Sequence, residues 1–160
     1  MIDHKREQEV WQRVMAASAE APACCKQIGK QTVTTEQVME LLCKELADAV
    51  TYEALACRVR GQTRQSFLQL ANWERQHAKK LSVVYYLMSG KKPCPDKPKT
   101  PCIACTNEEL RERYIAETKG AELYCSLAEK AGTFAGVFRE LACEEEKHAA
   151  IVLKLLQQSL

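Results

Sequence analysis

The feature that most constrains this chain is a pattern written twice. Phe67-x-x-Leu70-Ala71-x-x-Glu74-x-x-His77 recurs as Phe138-x-x-Leu141-Ala142-x-x-Glu145-x-x-His148, position for position. Upstream of each copy, Glu45 is followed seven residues later by Tyr52 and then Leu55-Ala56, and Glu117 is followed seven later by Tyr124 and then Leu127-Ala128. The interval from Glu45 to Glu74 is 29 residues and that from Glu117 to Glu145 is 28, with midpoints beside Gly61 and Gly132. A chain that runs out and returns by equal lengths brings both glutamates of a pair to one level. Two helical hairpins are predicted, with all four glutamates in a common layer.

The rest of the sequence agrees with helices. Only 6 glycines and 5 prolines are present, too few for the closely spaced turns of an all-β fold. Four of the prolines (Pro93, Pro95, Pro98, Pro101) crowd into one segment. Val10, Trp11, Val14 and Met15 predict an amphipathic helix over 3–19. Thr34 with Gln37 reads as a capping box. It opens a helix whose face carries Val38, Leu41, Leu42, Ala49, Tyr52, Ala56 and Val59 and which ends at Gly61. A second helix is predicted from about Arg64 to Ser89, stopped by Gly90. After a Cys/Pro-rich connector over 91–106, Thr106 with Glu109 reads as another capping box. That places a third helix to about Ala131 and, past Gly132, a fourth over roughly Phe134 to Gln158. Two hairpins joined by one long connector make an all-α, ferritin-like four-helix bundle. The domain expectation is an N-terminal helix and loop over 1–34 and the bundle over 35–160.

Chemistry enters through the placement of the acidic residues. Glu45 shares its face with Val38, Ala49, Tyr52 and Ala56, and Glu117 with Leu110, Ala121, Tyr124 and Ala128. A carboxylate on a buried stripe costs several kcal/mol unless it is paired or binds metal. Residues three apart on a helix point the same way, so Glu74 converges with His77 and Glu145 with His148. Four carboxylates and two neutral imidazoles suit two divalent cations. Hard oxygen donors with imidazole favour iron, or manganese, over a thiolate-type zinc site. One Glu from each of two helices plus Glu-x-x-His from each of the other two is the donor set of ferritin-like di-metal proteins.

On these residues, positions 35–159 resemble the di-iron domain of the rubrerythrin family. The resemblance implies a site of Glu45, Glu74, His77, Glu117, Glu145 and His148 that reduces hydrogen peroxide. Tyr52 and Tyr124 correspond to tyrosines beside the metals; packing in the bundle core is the other reading of both. Iron oxidation, oxygen chemistry, manganese-catalase-like activity and a non-enzymatic metal-binding scaffold are the alternatives. The sequence departs from the family at Gly120, where rubrerythrins usually carry a further glutamate. Asp48 occupies the pseudosymmetric position and is read either as a substitute ligand or as a solvated charge. No rubredoxin-type pair of Cys-x-x-Cys knuckles is present, so the resemblance places electron delivery on a separate rubredoxin-like donor. It also implies a homodimer.

The remaining composition is restrictive mainly by exclusion. A formal net charge of +2 without a basic block argues against a nucleic-acid partner. The most apolar stretch, Leu81–Gly90, is far short of the roughly 20 residues that span a bilayer, and no signal-type apolar core opens the chain. A cytoplasmic protein is the expectation. Of nine cysteines, Cys43, Cys57, Cys125 and Cys143 fall within helical stretches and read as core fillers. Cys24, Cys25, Cys94, Cys102 and Cys105 are left as thiolate metal ligands, a reversible dithiol or unligated thiols. Glu144 and Glu146, flanking Glu145, are expected to face solvent, and Glu53 and Glu122 to lie at the surface or rim.

Overall fold

The computed structural model describes residues 32–158. The helix expected over 3–19, with Cys24 and Cys25, lies outside the described residues. Among the described residues there are four α-helices: α1 (Thr35–Arg58), α2 (Gly61–Ser89), α3 (Thr106–Ala128) and α4 (Ala135–Gln158), the last entered through a 3₁₀ turn at Gly132–Phe134. No strand occurs among the described residues. No helix among them is long and apolar enough to cross a membrane.

Local chemistry explains the helix ends. Thr34 caps α1: its hydroxyl accepts from the Gln37 backbone N–H at 3.2 Å, and Gln37 Oε1 accepts from the Thr34 N–H at 3.0 Å. This reciprocal pair satisfies two donors that a helix start otherwise leaves open. The hairpin turn falls about three residues earlier than expected. α1 stops at Arg58, and Gly61 at φ 61° already opens α2, three residues before the expected Arg64. A left-handed residue reverses the chain at little cost only when it lacks Cβ. Gly90 does the same at the other end of α2, in the left-handed region with its N–H on Tyr86 O at 2.8 Å.

The second capping box is not formed. The N-cap of α3 is Cys105, which makes no side-chain cap. Thr106 is already inside the helix, where its hydroxyl accepts from Arg58 Nε, and Glu109 pairs with Arg113 one turn on. One partner from α1 and one from the next turn of α3 take the side chains that the capping box would have used. α3 also ends three residues earlier than expected, at Ala128.

The cysteine expectation needs a second correction. Cys57, Cys125 and Cys143 are exposed and Cys43 is only half-buried; all are free thiols. Each of the exposed three directly follows a buried residue, Ala56, Tyr124 or Ala142. One step along a helix turns the side chain by about 100°, enough to carry it off the core stripe. Cys94, Cys102 and Cys105 of the connector are exposed and unpaired as disulfides.

The core consists of two apolar clusters. One gathers Val38, Leu42, Leu81, Val84, Tyr124, Phe138 and Leu141. The other gathers Tyr52, Leu55, Phe67, Leu70, Leu110, Val152 and Leu155. The start of α1 therefore packs with the end of α2, the end of α3 and the start of α4, an up-down-down-up order. Two parallel-running neighbours demand a crossover along the whole bundle. The extended proline-rich segment provides it: about 15 residues at roughly 3.1 Å each match the roughly 43 Å of α2. Between the clusters lies a layer that is neither apolar nor wet.

Candidate metal centre

That layer is built by the middles of all four helices. Glu45 comes from α1, Glu74 and His77 from α2, Glu117 from α3, and Glu145 and His148 from α4. All six are at most 3% exposed, so water does not solvate their charges. The structure brings together every one of the six residues expected to meet. Ligand atoms of Glu74, His77, Glu145 and His148 lie within 4.8 Å of one another.

The contacts have a two-ended pattern. Glu74 spans both histidines, with Oε2 3.3 Å from His77 Nδ1 and Oε1 2.8 Å from His148 Nδ1. His77 Nδ1 also meets Glu45 Oε2 at 3.1 Å and Glu145 Oε1 at 3.0 Å. His148 Nδ1 is 3.6 Å from Glu117 Oε2. The two imidazoles are near-parallel, with centroids 5.0 Å apart. Two tyrosines complete the layer from opposite ends. Tyr124 donates to Glu45 Oε1 at 2.6 Å, and Tyr52 donates to Glu117 Oε1. Each hydroxyl thus holds one oxygen of the glutamate from the other hairpin and leaves the second directed at the cluster. The tyrosine rings also pack in the core, near Phe138 and Phe67 respectively, so both readings of these residues describe the same side chains.

Proximity is not matched by hydrogen bonding. Glu74 Oε1, both oxygens of Glu145, His148 Nδ1 and His77 Nε2 are buried without an aligned partner, even where an oppositely charged atom lies near 3 Å. Buried polar atoms are rarely left so. Side chains whose donors converge on a common point, rather than on one another, are arranged for a cation between them. Four carboxylates and two imidazoles, without a thiolate, fit two hard or borderline divalent ions.

The electrostatics carry the same strain. Burial, reinforced by Glu117 and Glu45, pushes Glu145 up to about 10, and burial raises Glu74 to about 7. Burial would raise Glu45 too, but hydrogen bonding to His77 and Glu74 with the Lys44 charge holds it down near about 2. Burial disfavours charge on His77, yet Glu145, Glu45 and Glu74 outweigh it and push the ring up to about 12. His148 rises to about 9 through Glu117 and Glu74, again against burial. Burial and the adjacent glutamates push both tyrosines well above the ordinary phenol value, so their hydroxyls stay protonated donors. Protons here occupy the place of positive charge that metal would fill.

The structure also assigns the remaining acidic residues. Asp48 is buried, so it is not a solvated charge; its carboxylate is taken by Arg113 and, at 2.7 Å, by Lys44 Nζ. Those two cations hold it beside the cluster without bringing it into the four-residue group. Asp48→Asn is expected to strand the largely buried Arg113 and cost about 1–3 kcal/mol in urea unfolding. Metal analysis of the same variant should show the parent stoichiometry. At Gly120 a Cβ would stand 3.0 Å from Glu145 Oε2, so the missing side chain leaves room that the Glu145 carboxylate uses. Glu53 pairs with Arg75 at the surface, and Glu122 is exposed.

Glu144 corrects the sequence reading. It is not simply solvent-facing: its Oε2 lies 3.0 Å from His77 Nε2 and 2.6 Å from Lys80 Nζ. The only signal was its position, one step before Glu145 and about 100° round the helix. Whether that side meets water or α2 depends on how the hairpins pack. Arg113 escaped notice for the same reason.

A layer of four glutamates and two histidines inside a bundle of this topology defines a ferritin-like protein with a di-metal carboxylate site. The family model described as Rubrerythrin matches residues 108–159, which cover α3 and α4 almost entirely, so the second hairpin is similar to that family. The first hairpin repeats that segment's motif. No curated protein sequence matches the chain.

Proposed function

We propose that this protein is a di-iron oxidoreductase that reduces hydrogen peroxide to water with electrons from a separate, rubredoxin-like donor protein. The observation that carries the reading is the buried cluster in which two Glu-x-x-His pairs meet two tyrosine-held glutamates. The family match over the second hairpin supports it. A ferrous pair, when bound, supplies the two electrons that, with two protons, convert one peroxide into two waters.

The chain's own residues do the rest. Glu45, Glu74, His77, Glu117, Glu145 and His148 would hold the ions. Tyr52 and Tyr124 fix the orientation of Glu117 and Glu45 and keep a proton at each hydroxyl within the layer. The two apolar clusters close the layer from both ends and exclude bulk water, which strengthens every charge interaction inside. Glu74, with one oxygen toward each histidine, would help to hold the ions beside both.

The test is a stopped-flow comparison on anaerobically iron-loaded, reduced protein. Oxidation by peroxide is expected to exceed that by oxygen by at least about tenfold, a difference of about 1.4 kcal/mol in barrier. Without a donor, each site should complete about one two-electron event and stop. Faster oxidation by oxygen, with iron accumulating beyond two ions per chain, would replace this reading with an iron-handling one.

A further inference from the structure

The internal repeat makes the two halves of the site chemically comparable, and one of their differences is the residue just before the Glu-x-x-His pair. Glu144 precedes Glu145 as Trp73 precedes Glu74. In one half, therefore, a carboxylate stands beside the ligand histidine of the opposite hairpin. In the other half, an indole stands there instead.

The contacts follow that difference. His77 turns Nδ1 toward three glutamates of the cluster, and its other nitrogen, Nε2, lies 3.0 Å from Glu144 Oε2. Glu144 is itself held by Lys80 Nζ at 2.6 Å, and Lys80 also reaches Glu140 at 3.0 Å. The approach to Nε2 is close but not an aligned hydrogen bond. When Nδ1 binds a cation, the remaining ring proton must sit on Nε2, and Glu144 is the acceptor beside it. His148 has no such partner: among the described residues no carboxylate is recorded at its Nε2. The Trp73 ring lies against its face instead, with centroids 5.3 Å apart and planes 16° from parallel.

We propose that the two metal positions are inequivalent, with Glu144 acting as a positioning residue that orients His77 and strengthens it as a donor. His148 is positioned by stacking on Trp73 and lacks that reinforcement. A carboxylate that accepts from a ligand imidazole fixes the ring and raises its basicity, and losing it typically costs about 10- to 100-fold in metal affinity. The proposal rests on the di-metal reading of the site but not on the reaction assigned to it.

The same stacking supplies a reporter. The chain has two tryptophans, Trp11 and Trp73. In a Trp11→Phe background only Trp73 fluoresces, and a paramagnetic ion at His148 should quench it. Cobalt(II) is titrated into the full chain, with total uptake followed by calorimetry and the His148 position by Trp73 quenching. The parent is expected to take up two ions. Glu144→Gln and Glu144→Ala should weaken one of them by about 10- to 100-fold while the quenching midpoint stays in place. Glu144→Asp should recover part of the loss. Unchanged uptake of both ions in the Gln and Ala variants would overturn the proposal, as would equal weakening of both with a matching shift in quenching. A parent chain that takes up no cobalt would overturn the di-metal reading itself, an outcome distinct from either.

Discussion

Replacing Glu145 by glutamine is expected to make the metal-free protein more stable and to abolish its stabilisation by metal. At pH 7 the unfolded chain carries an ionised Glu145, whereas in the fold burial and two neighbouring glutamates hold its carboxyl protonated, up to about 10. Taking up that proton from an ordinary value of 4.5 costs on the order of 3 kcal/mol at neutral pH. Glutamine has the same shape and no proton to acquire. It can also donate to the glutamates that now repel Glu145. The variant should therefore melt roughly 5–10 °C above the metal-free parent. With ferrous or manganous ion at about 100 times the parent dissociation constant, the parent should gain about 2.7 kcal/mol and the variant almost none. A variant that melts lower than the metal-free parent would show that Glu145 stabilises the fold in its own right, against the strain inferred from its unpaired oxygens.

Raising pH is expected to weaken the metal-free protein and strengthen the metal-bound one. His77 and His148 have folded values raised to about 12 and about 9 from 6.5. Their contribution is complete below about 6.5 and is lost as pH rises through the folded values. Glu74 and Glu145, also raised, act in the same direction from 4.5 upward. Across pH 6.5–9 the fold holds more protons than the unfolded chain, so stability falls by about 1.4 kcal/mol per pH unit for each extra proton. Metal binding requires neutral imidazoles and so expels at least the two histidine protons at pH 7. Chelator-treated protein should show a melting temperature that declines from pH 6.5 to 9, and metal-loaded protein should show none of that decline. Calorimetry in two buffers of different ionisation enthalpy would count the protons. Release of none would mean that the imidazoles are not the ligands.

Much of this site was legible because helical geometry makes it a matter of counting. The three-residue spacing of Glu74 and His77, and of Glu145 and His148, guarantees a shared face. The matched intervals to Glu45 and Glu117 guarantee a shared level. The glutamates' placement on apolar stripes implied burial, and the structure buries all four. Spacing was silent where the partner lay on another helix. Asp48 looked like either a ligand or a surface charge until Arg113, 65 residues away, turned out to hold it. Glu144 looked solvated until α2 packed beside it. The α3 capping box is absent because Thr106 lies inside the helix, where Arg58 of α1 holds its hydroxyl.

The sequence by itself determined four helices, their pairing into two hairpins and six residues in one buried layer, because each follows from periodicity and equal arm lengths along one chain. The tertiary structure alone decided which oxygen of each glutamate is free, which cation neutralises Asp48, and which histidine has a carboxylate behind it. Those are properties of atoms within about 3 Å across a helix interface. Their energies depend on angle and distance, and neither is encoded in the spacing of residues on a single helix. The halves of the repeat share their glutamates, histidines, tyrosines and main apolar positions in sequence. Only their packing reveals that Glu144 and Trp73, equivalent by position, place a charge against one ligand histidine and an aromatic face against the other.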